Sequence, residues 1–333
     1  MKNHVVESYE NYREENRLST NNARRIEFLT TARILDEHIA GKKSILDCAA
    51  GTGIYSFYLA DKGHTVTATD ITPRHINYIR QELKDKPYSM NTAVLDAADM
   101  GMFADESFDV VLNMGPFYHL THPEDREKCL RESLRVLKKG GLLITSYIPR
   151  FYVFQLVALQ NKDYLDASLA RQIIQTGVLH HDDEKCFWTD TYYSTCEEME
   201  SLYRQNGMTI IDHFAQDGAT PIFRNKLTAG MKRNSKSGMT TITASAGSVL
   251  CWVQAIMWSL QAKNCNCLPL PSHKMQTVKK AIKMICHHEP ARKTKDWLAM
   301  TCFLTNSNAR CMQRAFMVGN FSVLFMRETR MEF

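Results

Sequence analysis

Short apolar runs and amphipathic stretches alternate along the first two-thirds of this chain. From 22 to 39 the apolar positions Ile26, Leu29, Ala32, Ile34, Leu35 and Ile39 recur at helical spacing, and Gly41 ends that helix. Ahead of it, 7–18 is polar, with Tyr9 and Tyr12 interleaved; with Arg17 they read as part of an N-terminal helical lid over 1–40. Next come a buried strand at 44–48, a helix at 54–62 stopped by Gly63, and a β-branched strand at 65–69. A helix follows over 73–84, with Thr72 as its cap and Pro73 in its first position. Strands are predicted at 91–95 and 108–113, an amphipathic helix at 124–137, and a strand at 141–146 after Gly140-Gly141. Such alternation with short turns implies an α/β fold, its mostly parallel sheet covered by helices on both faces. Residues 149–190 break the rhythm as two helices with an aromatic entry at Phe151 to Phe154, an insertion that would cap the sheet's ligand edge. A helix at 196–206 and a strand at 208–214 complete the pattern.

Composition changes this picture in two places. No run approaches the ~20 apolar residues of a membrane span, and the polar start at Met1-Lys2-Asn3-His4 lacks a signal-peptide core, so a cytoplasmic protein is expected. Charge is split along the chain. From Ala229 onward there are 15 basic and 4 acidic residues, against 26 basic and 32 acidic before it. The basic footprint of nucleic-acid binding is therefore missing from the part that carries motifs, and nucleic acid is not the expected partner. Cys48, Cys129, Cys186 and Cys196 are scattered without metal-ligand spacing and read as free thiols.

The strongest local signal is Ile45 to Gly53, where a strand runs into small residues and then a helix. Gly51 and Gly53 allow close backbone approach to a ligand, and the helix N-terminus offers unsatisfied N–H groups. A dinucleotide loop would carry a third glycine, where this chain has Ala49, and Asp47 in the strand end would repel a pyrophosphate. That acid suits a ligand with an ammonium group. Asp70 closes the next strand, where a carboxylate accepts from ribose hydroxyls, and Asp96 closes the third, where it can accept from an adenine amino group.

From Ser44 to Ser146 the chain resembles class I S-adenosylmethionine (SAM) dependent methyltransferases of the small-molecule type. The resemblance rests on Leu46 to Gly53, Asp70, Asp96-Ala97, Ser107-Phe108-Asp109-Val110-Val111 and Arg135 to Gly141, in order and at the family's spacing. It implies a Rossmann-like, doubly wound, seven-stranded sheet, a SAM-binding domain over 41–228 with the 149–190 insertion as substrate cap, and SAM as cofactor. It also implies roles. Ala49, Gly51 and Gly53 would pack on the methionine part, with Asp47 facing its amino group and Thr52 among the cofactor-binding residues of the same loop. Asp70 would bind the ribose beside Ile71, Asp96 and Ala97 would read the adenine, and Asn113 and Met114 would lie near the sulfonium.

Methyl transfer is a displacement at carbon, in which alignment does most of the work and a base helps only an acceptor that must lose a proton. Residues 113–119 are similar to the Asn-Pro-Pro-Tyr motif of amino-group methylases but differ at both middle positions. They resemble more the Gly-Pro-x-Tyr-His-Leu stretch of small-molecule methyltransferases, which makes His119 a candidate base and Tyr118 a pocket wall. Tyr147, Arg150 and Tyr152 are expected at the same edge, whereas 180–183 (His-His-Asp-Asp) reads as a solvated loop. The expected function is methylation of a small-molecule acceptor. The alternatives are a SAM-binding protein without turnover and, disfavoured by Asp47, a nicotinamide-dependent dehydrogenase.

The tail, 229–333, is atypical. With synonymous codons from Gly230 to about Leu260, reading two bases later yields an acidic helix, a Gly-Ala-Ser-Asn-His turn and a β-branched strand. A frame shift near Thr228–Gly230 would explain this. It would leave the tail poorly ordered and the sheet without its last strand. The other reading, an accessory domain, would offer Cys265-Asn266-Cys267 and Cys286-His287-His288, irregularly spaced, for zinc.

Overall fold

The computed structural model describes residues 2–218 and 322–329. They belong to one compact unit comprising Met1–Thr228 and Val318–Phe333. Five parallel strands form its centre: β1 (Ser44–Asp47), β2 (Thr65–Asp70), β3 (Asn91–Val94), β4 (Phe108–Asn113) and β5 (Leu137–Pro149). They run in the order β3–β2–β1–β4–β5. The order reverses between β1 and β4, so a crevice opens beyond the carboxyl ends of these two strands, where α/β folds bind ligands.

Helices cover both faces. On one side α2 (Asn22–His38), α3 (Ile54–Asp61) and α4 (Pro73–Glu82) contribute Leu35, Leu59, Ile76 and Ile79 to a core with Ile45, Val66 and Val110. On the other, α5 (Pro123–Val136) and α8 (Cys196–Gln205) pack Leu130, Leu134, Met199 and Tyr203 on Leu46, Val111 and Leu143. Adjacent residues of one strand thus feed opposite cores, as a sheet buried on both faces requires. Ahead of this layer, α1 (Lys2–Asn11) and a 3-10 turn at Glu14–Asn16 form the N-terminal segment.

Four details depart from the sequence reading. Thr72 occupies the cap position of α4, but its hydroxyl makes no capping bond; its N–H donates to Asp70 Oδ1 at 2.8 Å. Strand β5 begins earlier, at Leu137, and its pairing with β4 slips between Phe108 and Val110, where Lys138 to Gly141 bulge out. The insertion holds more than helices. Besides α6 (Arg150–Gln160) and α7 (Ala167–Thr176) it has an antiparallel pair, β6 (Val178–Leu179) and β7 (Thr191–Ser194), and β7 continues the sheet alongside Ile148 and Pro149.

The fourth departure is the largest, because the sheet does not lack its last strand. β9 (Ser322–Glu328) lies antiparallel between β5 and β8 (Met208–Ala215) and completes a seven-stranded order β3–β2–β1–β4–β5–β9–β8. Val323 and Phe325 enter one core, Leu324 and Met326 the other, and all four are fully buried. Glu328 accepts from Gly140 N–H at 3.2 Å, and Thr329 N–H donates to Gly207 O at 3.1 Å. The final residues of the supposed tail are therefore part of the sheet. The frame-shift reading and the tail cysteines fall in 219–321 and 330–333, outside the described residues.

Candidate active site

A cavity of about 560 Å³ opens at the carboxyl ends of β1, β2 and β4, within the roughly 300–1,000 Å³ of small-molecule and cofactor sites. Asp47, Ala49, Gly51, Asp70, Ile71, Asp96, Ala97 and Met114 all line it, as do Tyr118 and His119. Sequence motifs spread over about seventy positions thus meet around one space.

Asp70 organises the first wall. Its Oδ2 accepts from Gly51 N–H at 2.8 Å and its Oδ1 from Thr72 N–H, so one carboxylate ties the β1–α3 loop to the β2–α4 loop. Gly51 sits at φ +55°, in the left-handed region that favours glycine. His75, buried on α4, places Nδ1 3.2 Å from Asp70 Oδ1. Asp47 is 2% exposed and accepts from Ser56 Oγ at 2.7 Å. Burial, with Asp70 nearby, pushes its carboxyl up to about 7, and no cation pairs with it among the described residues. Asp96 Oδ1 accepts from Ala98 N–H at 2.9 Å, which turns the chain beyond β3.

The second wall comes from the segment after β4, the N-terminal helix and the insertion. The 3-10 turn Pro116–Tyr118 brings Tyr118 and His119 to the cavity. His119 Nδ1 lies 3.0 Å from Asp190 O, and Tyr9 Oη lies 2.9 Å from His119 Nε2. A carbonyl only accepts, so Nδ1 carries the proton and Nε2 accepts from the Tyr9 hydroxyl. Burial pushes the imidazole down to about 4, so it is neutral across physiological pH. Trp188, 40% exposed, stands edge-on to His119 at 4.8 Å between ring centroids. Val153, Leu156 and Val157 of α6 complete an apolar side.

The N-terminal segment is held over the cavity by Arg74. Its N–H donates to Glu10 Oε1 at 3.1 Å, its guanidinium donates to Tyr12 O at 2.5 Å, and it pairs with Glu15. Arg17 also lines the cavity and donates to Glu14 at 2.5 Å and to the buried Glu27 at 2.8 Å.

Other expected residues lie elsewhere. Asn113 turns into the helix layer, where its Nδ2 donates to Ser133 Oγ at 3.0 Å and to Cys129 Sγ at 3.2 Å. Thr52 is buried behind the loop, and Gly53 (φ +83°) starts α3, where an added Cβ would meet Ile79 at 2.9 Å. Tyr147 bonds His213 Nε2 at 2.9 Å, Arg150 pairs with Glu198, and Tyr152 Oη reaches Gly218 O at 3.5 Å; none lines the cavity. His181 N–H and Nδ1 both reach Asp190 Oδ1, which gives the 180–183 segment a bracing contact.

Sequence reading missed Trp188, Arg74 and His75, and it gave Gly115 no role beyond its place in the Gly-Pro-x-Tyr-His-Leu stretch. Gly115 had a signal in the glycine itself. An added Cβ there would come within 2.9 Å of Ala49 Cβ, so the β4 loop and the β1 loop approach too closely for a side chain.

Residues 46–145 match the family described as "Methyltransferase domain". The chain is 33% identical over 116 residues to a glycine/sarcosine N-methyltransferase of Parasynechococcus marenigrum, covering 34% of this chain and 40% of that enzyme. It is 25% identical over 198 residues to a ubiquinone biosynthesis O-methyltransferase of Hydrogenovibrio crunogenus, covering 60% and 71%. Among solved structures, a SAM-dependent methyltransferase of Methanosarcina mazei aligns with a TM-score of 0.45 at 22% identity, over 54% of this chain and 86% of that one. The match to the first of these relatives spans about two fifths of its length. No helix among the described residues is long and apolar enough to cross a membrane. Residues 46–145 are thus similar to a methyltransferase domain, and they lie in a doubly wound sheet of Rossmann-like order.

Proposed function

We propose that the protein transfers a methyl group from SAM to a small-molecule acceptor by direct displacement. One observation carries the reading: Asp47, Gly51, Asp70, Asp96 and Met114, from four strand ends, line one cavity. The donor set fits the cofactor. Asp47 is a buried carboxyl without a cationic partner among the described residues, which suits an ammonium group. Asp70 uses one lone pair on each oxygen for the loops and keeps others for ribose hydroxyls. Asp96 and Ala97 would take the adenine edge, and Met114 and Gly115, which line the same cavity, would border the sulfonium. Bound SAM supplies an electrophilic methyl carbon. The chain's own residues orient the two partners and exclude water: α1 and the 3-10 turn behind it act as a lid, and the 149–190 insertion as a cap over the acceptor. Reduced thiols at all four described cysteines fit a cytoplasmic setting, which is part of the same proposal.

Calorimetric titration with S-adenosylhomocysteine tests this. Wild-type protein should bind it, and Asp70→Ala should lose at least about a hundredfold in affinity while staying folded by circular dichroism. Binding of NADH in place of S-adenosylhomocysteine would overturn the reading.

A further inference from the structure

The two ends of the cavity differ in chemistry. The end beyond Met114 is built from Tyr118, Trp188, Tyr193 and Phe187, with Val153 and Leu156 beside them. The cations lining the cavity are committed. Arg17 faces Glu14 and Glu27, and Arg24 pairs with Glu27. Asp190 adds negative charge. A carboxylate-bearing acceptor therefore meets acids and rings and no uncommitted guanidinium among the described residues.

The polar post at this end is His119 Nε2, and the chain's own phenol occupies it. Tyr9 Oη donates to Nε2 at 2.9 Å. Its ring stands edge-on to His119 (5.4 Å between centroids), to His75 (5.6 Å) and to Trp188 (6.2 Å). Edge-to-face contact is the arrangement aromatic rings prefer. Tyr9 arrives on α1, which is not part of the sheet and is held through Arg74.

Resting on the methyltransferase reading above, we propose that the acceptor is an uncharged aromatic hydroxy compound whose phenolic O–H replaces that of Tyr9 on His119 Nε2. The acceptor oxygen bonds the methyl carbon as the carbon–sulfur bond of the sulfonium breaks, and the phenolic proton passes to Nε2. The sulfonium becomes a neutral thioether, the imidazole an imidazolium, and charge is conserved. Asp190 O fixes the imidazole through Nδ1 and stabilises the imidazolium. Tyr9 in this scheme is a plug that imitates the substrate.

The experiment uses the full chain with S-adenosylhomocysteine binding as a separate first readout. Catechol and 8-hydroxyquinoline serve as probes, with glycine and sarcosine as carboxylate-bearing controls. The probes should give acceptor-dependent S-adenosylhomocysteine formation, and the controls should give none. His119→Ala should lower kcat roughly 10²–10⁴-fold, the usual span for a general base, with cofactor affinity within about twofold. Tyr9→Ala should lower the probe KM by about threefold or more, since a hydrogen bond worth ~1 kcal/mol no longer has to be displaced. If no probe turns over, binding of 8-hydroxyquinoline to the S-adenosylhomocysteine complex is read directly. Binding that His119→Ala weakens supports the inference; no binding overturns it. Preferred methylation of glycine, or a His119→Ala enzyme with unchanged kcat, overturns it as well. Failure to bind S-adenosylhomocysteine at all overturns instead the methyltransferase reading on which it rests.

Discussion

The two walls of the cavity are built by opposite means. The wall proposed to face the cofactor comes from three adjacent strand ends, and backbone N–H groups bonded to Asp70 hold it. The wall proposed to face the acceptor comes from α1, the 116–118 turn, α6 and the 187–193 segment, which meet through aromatic rings and His119. The first wall is a property of the sheet, and a change there alters how the loops fold. The second is a convergence of remote pieces, so a change there alters what binds and leaves the fold in place.

Substitutions can break or sharpen this contrast. Phe325→Ala, at a buried residue that lines neither wall, should destabilise the protein by about 3–5 kcal/mol, as for other buried phenylalanines; urea unfolding measures it. A smaller cost would mean that β9 is not integral to the sheet. Gly115→Ala strikes where the walls touch. Its Cβ would meet that of Ala49, and an overpacking cost of about 1–3 kcal/mol is expected together with weaker S-adenosylhomocysteine binding.

Asp47 probes the cofactor wall by pH. Its carboxyl titrates at about 7, above its ordinary value of 3.8, and an ammonium ligand needs it ionised. Affinity for S-adenosylhomocysteine should fall by up to about tenfold per pH unit below 7 and level off above. Asp47→Asn should flatten that slope. In the ligand-free protein the sign reverses. Between pH 3.8 and about 7 the folded state keeps a proton that the unfolded chain has released, so stability falls as pH rises through that window. The smallest effect is expected at Trp188→Ala, which removes ring contacts worth about 0.5–1.5 kcal/mol. Acceptor KM should rise up to roughly tenfold with cofactor affinity unchanged. A loss of cofactor affinity there would erase the distinction between the walls.

The legible half of the molecule follows the same division. Asp47, Gly51, Asp70 and Asp96 could be read because each sits in a strand–turn–helix unit a few residues long, where local sequence and ligand chemistry coincide. Asn113 shows the limit of that logic. It ends a strand at the right edge, yet its amide is spent on Ser133 and Cys129, a choice set by packing against α5. Tyr147, Arg150 and Tyr152 mislead for the same reason. Trp188 and Arg74 carry no local signal, since their importance arises only when distant segments meet. β9 was hidden differently. Its apolar run Val323 to Met326 has no period, because a strand buried on both faces has none, and a Met-rich, basic stretch precedes it.

The position of β9 has a consequence for how the chain is made. Its two neighbours, β5 and β8, are synthesised before residues 216–321, and β9 only after them. On the ribosome the nascent chain therefore holds every residue of the cavity while two strand edges stay unpaired and both cores lack their closing side chains. Such edges template association with other chains, and closing the sheet across so long a separation is a slow step. A product truncated before Ser322 would keep all the recognisable motifs and lose the closed sheet, so chaperones and proteases would judge this protein by a strand that none of those motifs reveals.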